Sequence, residues 1–126
     1  MSSIFDGSMG VLEKALDLYL TRHAVISDNI ANAETPFYKA RRVSFEEELQ
    51  NVVEQKGTNA SVRDFGGVSS HIFQDPDSEM GQDLNTVDMD REMAMLTKND
   101  IQYSAATQAI SKRFALLKYV VNGGDR

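Results

Sequence analysis

The sequence has no cysteine, only two prolines and no apolar run long enough to cross a membrane. Without cysteine, disulfides and thiolate metal sites are excluded. A membrane span needs about 18 or more consecutive apolar residues, and the amino terminus also lacks the basic start and short apolar stretch of a secretory signal. We therefore expect neither direct membrane insertion nor signal-dependent secretion.

Positive charge is also scarce, because 13 lysines and arginines face 19 aspartates and glutamates, for a net charge of −6. The basic residues are scattered except for Lys39, Arg41 and Arg42. No basic stripe follows a phosphate backbone, so nucleic acid is not an expected partner. The small cluster is either solvated or contacts an acidic neighbour, such as the middle segment of another copy.

A chain of 126 residues with 41% apolar content is enough for one structural unit with little apolar surface to spare. Over residues 9–33, apolar positions recur at alternating steps of three and four, which predicts a helix with a heptad seam. Pro36 cannot continue a helix, so this helix should end near Asn32. Its seam comprises Met9, Leu12, Leu16, Tyr19, His23, Ile26, Ile30 and Ala33.

A second heptad pattern over residues 88–121 predicts a carboxyl-terminal helix. Asp88 or Asp90 can cap its start, and the Asn-Gly-Gly sequence at residues 122–124 closes it. Asp100 and Thr107 interrupt the seam and are interpreted as polar positions that set its register. The apolar seam comprises Met89, Met93, Leu96, Tyr103, Ile110, Phe114, Leu117 and Val121.

The middle of the chain is rich in glycine and acidic residues and has no helical period. It predicts loops with one short β-hairpin, residues 60–65 and 68–74, around a Gly-Gly turn. The expected fold is therefore mainly α: two long terminal amphipathic helices forming a coiled-coil-like hairpin around an irregular middle. The expected divisions are residues 1–49 with the first helix, the turn and a short acidic helix, residues 50–87 as a flexible middle, and residues 88–126.

Both predicted helices carry a second apolar stripe opposite the seam. On the first helix this stripe is Val11, Leu18 and Val25, and on the second it is Ala105, Ala109, Leu116 and Val120. A two-helix hairpin buries only one stripe of each helix, so we expect something outside the chain to cover the others. Periodicity does not distinguish a closed four-helix dimer from an open filament.

No residue constellation supports catalysis, a cofactor or a metal. His23 lies on the seam, where a packed histidine with one hydrogen bond is the ordinary state. His71 has Asp75 and Asp77 nearby but no second histidine, and the three glutamates at residues 46–48 are not placed in a predicted cleft. We expect a protein that is not an enzyme.

Residues 27–39 resemble the signature of flagellar rod and hook proteins, an Asn-Ile-Ala-Asn helix end followed by a Thr-Pro turn. Phe37 stands where that signature commonly has glycine, which leaves a turn with positive φ in question. Residues 87–118 look like the proximal-rod members of the same family, whose short middle lacks the large inserted domains of hook and distal-rod members. The motif residues are Asn29, Ile30, Asn32, Thr35, Pro36, Tyr38 and Lys39.

The resemblance implies a structural subunit of the proximal rod of the flagellar basal body, placed outside the cytoplasmic membrane after export by the flagellar type III apparatus. Its implied partners are other copies, other rod proteins and the membrane-ring proteins at the rod junction. It also implies an export-gate element, a phenylalanine followed four residues later by an aliphatic side chain, which Phe45 and Leu49 fit. The assembly interface would use the seam residues Met9, Leu12, Leu16, Tyr19, Ile26, Ile30, Leu96, Tyr103, Ile110, Phe114, Leu117 and Val121.

Two other interpretations remain open at the level of sequence. One is another small rod protein of the same family. The other is a cytoplasmic coiled-coil adaptor or chaperone that forms a closed dimer, which would be highly helical and stable on dilution.

Overall fold

The structure is a computed structural model that describes residues 2–124, with side chains described for residues 7–57 and 59–124. Two long helices enclose a short α/β segment. In chain order the elements are α1 (Ser2–Ala31), β1 (Arg41–Ser44), α2 (Glu46–Lys56), a 3-10 turn (Gly57–Asn59), α3 (Val62–Phe65), β2 (His71–Gln74) and α4 (Met89–Val121).

The two long helices lie side by side and antiparallel, which confirms the predicted helical hairpin. Polar contacts join them at two levels: Asn29 of α1 reaches Glu92 of α4, and the Asn99 amide of α4 donates to the Tyr19 carbonyl of α1. The start of α4 therefore lies beside the end of α1.

The ends of the helices follow their capping residues. The Asp88 side chain accepts hydrogen bonds from two backbone N–H groups of the first turn of α4, as an N-cap does. At the other end, Gly123 and Gly124 adopt φ values of 72° and 80°, which glycine reaches without steric cost. The end of α1 at Ala31 also agrees with the predicted stop near Asn32.

Helix α1 begins earlier than the apolar pattern predicts and continues through Gly7 and Gly10. Both glycines face the segment that contains α3. A Cβ at Gly7 would lie 2.7 Å from the Ala60 carbonyl oxygen, and a Cβ at Gly10 would lie 2.9 Å from the Phe65 ring. Glycine at these two helical positions leaves room for the middle segment, which a side chain there would push away from the helix.

The predicted hairpin is wrong in its pairing. Strand β2 lies within the predicted second strand, but its partner is β1, with Arg41 opposite Gln74 and Ser44 opposite His71. Residues 62–65 form helix α3, whose start carries a capping box between Ser61 and Asp64. Such reciprocal side-chain bonds favour a helix start over an extended strand.

The core lies between α1 and the middle segment. Leu18 and Val25 of α1 pack on Val43, Phe45 and Val68, and the Tyr19 ring meets the Phe45 ring edge-on at 5.6 Å between centroids. Two of the three residues of the stripe that we expected an outside partner to cover, Leu18 and Val25, are thus buried inside the subunit. That expectation was wrong for α1 because the middle segment packs on the helix.

Candidate functional site

The motif turn, residues 32–40, connects the end of α1 to β1. The Asn32 side chain donates to the Asp28 carbonyl at 2.8 Å and accepts from the Thr35 hydroxyl at 3.1 Å. The Thr35 backbone N–H donates to the Asn32 carbonyl at 3.0 Å. These bonds pair backbone groups at the end of α1 that have no partner within the helix, and they stabilise the turn before Pro36.

Asn29 fixes β1 against the last turn of α1. Its amide nitrogen donates to the Arg41 carbonyl at 2.8 Å, and its oxygen accepts from the Arg41 backbone N–H at 3.0 Å. The same nitrogen donates to Glu92 at 3.1 Å. Asn29 is fully buried. Its side chain pairs with both the N–H and the carbonyl of Arg41, as the backbone of a neighbouring β-strand would.

Residues 83–87, here called the clasp, form hydrogen bonds with the motif turn. The buried Asn85 amide donates to the carbonyls of Asn32 and Thr35 at 2.8 and 2.7 Å. The Thr86 hydroxyl accepts from the Ala40 backbone N–H at 2.8 Å, and the Thr86 N–H donates to the Tyr38 carbonyl at 3.0 Å. The turn is therefore a fixed junction that holds α1, β1 and the approach to α4 in one arrangement.

Phe37 adopts a φ of 66°, so the turn does require positive φ at the position where the family signature commonly has glycine. Its backbone N–H donates to the Asp83 carbonyl at 3.0 Å, which ties this conformation to the clasp. A non-glycine residue in this region costs of order 1 kcal/mol or more. The Phe37 side chain is exposed, so little packing offsets that cost.

Replacing Phe37 with glycine is expected to raise the free energy of unfolding by about 0.5 to 1 kcal/mol, because relief of the steric cost exceeds the added freedom of the unfolded chain. Phe37→Ala is the matched control, since it removes the ring but keeps the Cβ. Urea denaturation followed by circular dichroism measures both. If the glycine variant is no more stable than the alanine variant, the positive φ carries no strain.

A buried ionic network lies behind the turn. Two nitrogens of the Arg42 guanidinium donate to the two carboxylate oxygens of Glu92, Nη1 at 3.0 Å and Nη2 at 2.7 Å. Arg42 Nε also lies 2.8 Å from Asp75 Oδ2, which Arg91 Nη1 approaches at the same distance. Glu92 is completely buried. The network joins β1, the residue after β2 and the first turn of α4.

The charge state of Arg42 follows from these neighbours. Burial alone lowers the pKa of the Arg42 guanidinium, but the hydrogen bonds and charges of Glu92 and Asp75 outweigh burial and leave the pKa above its ordinary value. Arg42 therefore stays cationic at every pH at which the protein folds.

Replacing Asn29 with aspartate is expected to lower the free energy of unfolding by about 3 kcal/mol, because a carboxylate cannot donate to Arg41 and would lie against Glu92. Asn32→Asp is the matched control, since Asn32 lies in the same motif but is only half-buried; its loss should cost about 1 kcal/mol. Urea denaturation measures both. Equal effects of the two variants would contradict the role given to Asn29.

Glu46, at the start of α2, makes an ion pair with Arg22. Burial raises the pKa of the Glu46 carboxyl, but hydrogen bonds from the Arg22 side chain and from backbone N–H groups, together with the Arg22 charge, bring it below the ordinary 4.5. A lowered folded-state pKa gives stability that is present above the unfolded pKa and is lost as pH falls through the folded pKa.

The stability difference between the unmodified chain and Glu46→Gln should therefore be constant at neutral pH and shrink as pH falls below about 4.5. The Glu46 side chain is largely exposed, so the difference at neutral pH should stay below about 1 kcal/mol. Thermal unfolding followed across that pH range measures it. A difference that grows on acidification would contradict the ion pair.

The predicted assembly residues of α1 are buried or half-buried in the subunit. Ile26 is only 2% exposed, so it belongs to the core of this fold and is not available to a neighbour. His23, predicted to be packed, is exposed and lies 3.1 Å from Asp100 Oδ1. The other five residues of the α1 set are half-buried, namely Met9, Leu12, Leu16, Tyr19 and Ile30.

On α4 the residues divide by position along the helix. Leu96, Tyr103 and Ile110 are half-buried. Phe114, Leu117 and Val121 are 58%, 43% and 75% exposed, and so are three further large apolar or aromatic side chains of the same stretch at similar levels, namely Leu116, Tyr119 and Val120. The end of α4 therefore presents six large apolar or aromatic side chains to solvent.

Helix α4 buries three residues spaced by seven, two of them polar and the third an alanine, Ala106. Glu92 and Asn99 are buried, whereas Asp100 and Thr107 are exposed. Asp100 Oδ1 lies 3.1 Å from His23 Nδ1 of α1, whereas the Thr107 hydroxyl donates to the Tyr103 carbonyl of its own helix. Their role in setting the register stays a prediction, and Asn99 is the buried polar residue next to Asp100. The periodicity of apolar residues missed this face because two of its three buried residues are polar.

Phe45 and Leu49, the predicted export element, lie at the start of α2. Phe45 is buried, with the Arg22 guanidinium 4.5 Å from the centre of its ring, and Leu49 packs partly buried against the same core. In the folded subunit this pair is therefore not presented to a partner.

No described helix has the length and apolar character of a membrane span. Among the residues with described side chains, no group of three histidines or carboxylates is placed to hold a metal ion.

Comparison with known proteins decides the family. No family model matches the chain. The flagellar basal body rod protein FlgB of Bacillus subtilis strain 168 is 36% identical, over 97% of this chain and 98% of the relative. The proteins of the same name from Escherichia coli K12 and Borrelia hermsii are 31% and 30% identical and are covered over 96% and 98% of their length. The chain belongs to the FlgB family of flagellar basal body rod proteins.

FlgB membership confirms the resemblance seen in residues 27–39 and 87–118. It also gives the motif turn a context: in this chain the motif residues Asn29, Asn32 and Thr35 make the contacts that fix the helix end to β1 and to the clasp. Two partners of these residues, Glu92 and Asn85, were not recognised from the sequence. A buried polar residue leaves no periodic signal, so only the fold reveals them.

Proposed function

We propose that this protein is a structural subunit of the proximal rod, and that it polymerises through the exposed apolar end of α4 together with neighbouring rod subunits. FlgB membership supports the rod assignment. The observation that carries the mode of assembly is the exposure of Phe114, Leu117 and Val121 at the end of α4, where three further large apolar or aromatic side chains are also exposed. Such a surface is stable in water only when a partner covers it.

The subunit has two regions with different roles in this proposal. Residues 7–110 form the core and the fixed motif junction, which sets the direction of the helices. Residues 111–121 of α4 supply the surface that neighbours bury. The protein catalyses no reaction, and its position is in the basal body rod, outside the cytoplasmic membrane after export. Its partners are other copies, other rod proteins and the ring proteins at the rod junction.

Export by the flagellar type III apparatus precedes folding in this proposal. Phe45 and Leu49 are packed against the core once the chain has folded, so the export apparatus would recognise them only in the unfolded chain. Phe45→Leu tests this step, because leucine keeps an apolar side chain in the core but removes the aromatic ring. Reduced export of a variant that folds normally would support recognition; unchanged export would contradict it.

Deletion of the gene in its source bacterium tests the function as a whole. The expected result is loss of swimming and basal bodies that have rings but no rod, with both restored by a plasmid copy. Normal rods and swimming in the deletion strain, after a second gene copy has been excluded, would contradict the proposal and favour the closed coiled-coil dimer. Light scattering on the purified protein would then show a dimer that persists on dilution.

A further inference from the structure

Two large apolar residues, one in the motif turn and one in the clasp, combine a strained backbone with an exposed side chain. Phe37 and Leu84 are the non-glycine residues with positive φ among the described residues, at 66° and 62°, and their side chains are 68% and 41% exposed. Their segments adjoin, because the Phe37 N–H donates to the Asp83 carbonyl. Backbone strain of this kind concentrates at functional sites. We call these two residues the apolar tip.

The apolar tip and the exposed end of α4 lie at opposite ends of the subunit. Leu84 lies just before the start of α4, whereas the six exposed large side chains at residues 114–121 lie at its end. A helix of 33 residues is about 50 Å long at a rise of about 1.5 Å per residue. The tip therefore cannot contact the end of α4 in its own subunit, and a contact between the two surfaces joins two copies.

The end of the subunit that carries the apolar tip is acidic. Residues 28–42 and 75–92, which include the motif turn, the clasp and the first turn of α4, contain nine acidic and four basic residues. Their net charge is −5 with every member of the ion pairs counted. Glu34 is exposed, three residues from Phe37, and its carboxylate makes no ion pair with another described residue. It is therefore available to a cation of another subunit.

The other end of α4 is basic. Residues 101–121 contain three basic residues and no acidic one, namely Lys112, Arg113 and Lys118. None of the three makes an ion pair with another described residue. Helix α1 is the element packed against α4, and its start, residues 2–14, adds two acidic and one basic residue. The net charge of this end is then still +2, opposite to that of the tip.

We propose that the end of α4 of one copy packs on the apolar tip of the next copy, with Lys118 of the first beside Glu34 of the second. The inference rests on the proposed rod function and names the surface that covers the end of α4. Both surfaces are apolar and exposed, and their opposite charges orient the approach. Because they are different surfaces at opposite ends, the contact is head-to-tail and repeats along a row of subunits. The Phe37 ring makes it specific to this chain, since the family signature commonly has glycine there.

The absence of cysteine allows a pair of introduced cysteines to report this contact. A chain with Glu34→Cys and Lys118→Cys replaces the natural chain in the source bacterium, and isolated basal bodies are treated with a short bismaleimide. The expected products are covalent dimers and higher multiples of the chain, detected by immunoblotting. Their yield should be about tenfold above that of Glu34→Cys combined with Gln108→Cys. Gln108 is also exposed on α4 but lies about 15 Å from Lys118 along the helix.

The outcomes separate this contact from the rod function. A yield equal to that of the Gln108→Cys control, with the chain present in the basal bodies, would overturn the contact and leave the rod function intact. Absence of the unmodified chain from basal bodies that contain a complete rod would instead contradict the proposed function. Covalent dimers without higher multiples would overturn the head-to-tail arrangement and indicate a closed pair.

Removing the Phe37 ring gives a second readout. Phe37→Ala in the chain with Glu34→Cys and Lys118→Cys should lower the yield of cross-linked multiples about fivefold, although the exposed ring contributes little to the fold. Ile101→Ala is the matched control, because Ile101 is 65% exposed on the middle of α4, and it should leave the yield unchanged. Equal yields from the Phe37→Ala and Ile101→Ala chains would overturn the apolar tip as the surface that receives α4.

Discussion

Arg42→Met is expected to lower the free energy of unfolding by about 3 to 5 kcal/mol, because it leaves the fully buried Glu92 carboxylate without its cation. Small proteins have only about 5 to 15 kcal/mol of stability in total, so this variant should be largely unfolded at moderate urea concentrations. Urea denaturation followed by circular dichroism measures the loss.

Two further variants distinguish the effect of losing the Arg42 charge on stability from the effect of losing side-chain volume. Arg91→Met removes the more exposed partner of Asp75, which keeps Arg42, and should cost about 1 kcal/mol. The double variant Arg42→Met with Glu92→Met removes both charges and should be more stable than Arg42→Met alone. The losses of stability in Arg42→Met and in Glu92→Met are also measured separately. A double variant whose loss equals the sum of these two losses would contradict the buried ion pair as the cause.

Leu117→Asp is expected to abolish swimming and rod formation while changing the free energy of unfolding by no more than about 0.5 kcal/mol. The reason is that Leu117 is exposed in the subunit and would be buried only by a neighbour, where an unpaired carboxylate is costly. Phe114→Asp should behave in the same way. Swimming assays, with the protein level checked by immunoblotting, measure the effect.

Two controls distinguish assembly from folding. Gln108→Asp changes an exposed polar residue on the same helix and should leave swimming unchanged. Ile26→Asp introduces a charge into the core and should unfold the subunit, so it fails to accumulate. If Leu117→Asp swims normally at a normal protein level, the end of α4 is not an assembly surface.

The helices of this fold are predictable from the sequence because their signals are local. The end of α1 before Pro36, the Asp88 cap and the Gly-Gly close of α4 are each read from residues adjacent in the chain. The apolar period also identifies the long helices, although it does not show that Gly7 and Gly10 continue α1.

The arrangement of the middle segment was not predictable in the same way. Pairing of β1 with β2 joins residues about 30 positions apart, and no turn residue marks that contact. The burial of Leu18 and Val25 follows from that packing, so the sequence alone wrongly assigned their stripe to an outside partner. The network of Arg42, Asp75 and Glu92 was missed because its members are distant in sequence and carry charges that usually mark a surface.

The motif turn lies between these two cases. Its residues were recognised from the family signature, but their contacts were not, since Asn29 bonds to Arg41 and Glu92 as well as to Tyr38 of the turn. The positive φ of Phe37 shows that the turn adopts this backbone conformation without glycine. The contacts of residues 83–87 hold that backbone in place.

A cryo-electron microscopy map of basal bodies isolated from the source bacterium tests the central claim most directly. The account predicts that this chain occupies the proximal rod and that Phe114, Leu117 and Val121 are buried against neighbouring subunits. A map in which the chain is in the rod but the end of α4 faces open solvent would contradict the proposed mode of assembly, and a rod without this chain would contradict the proposed function.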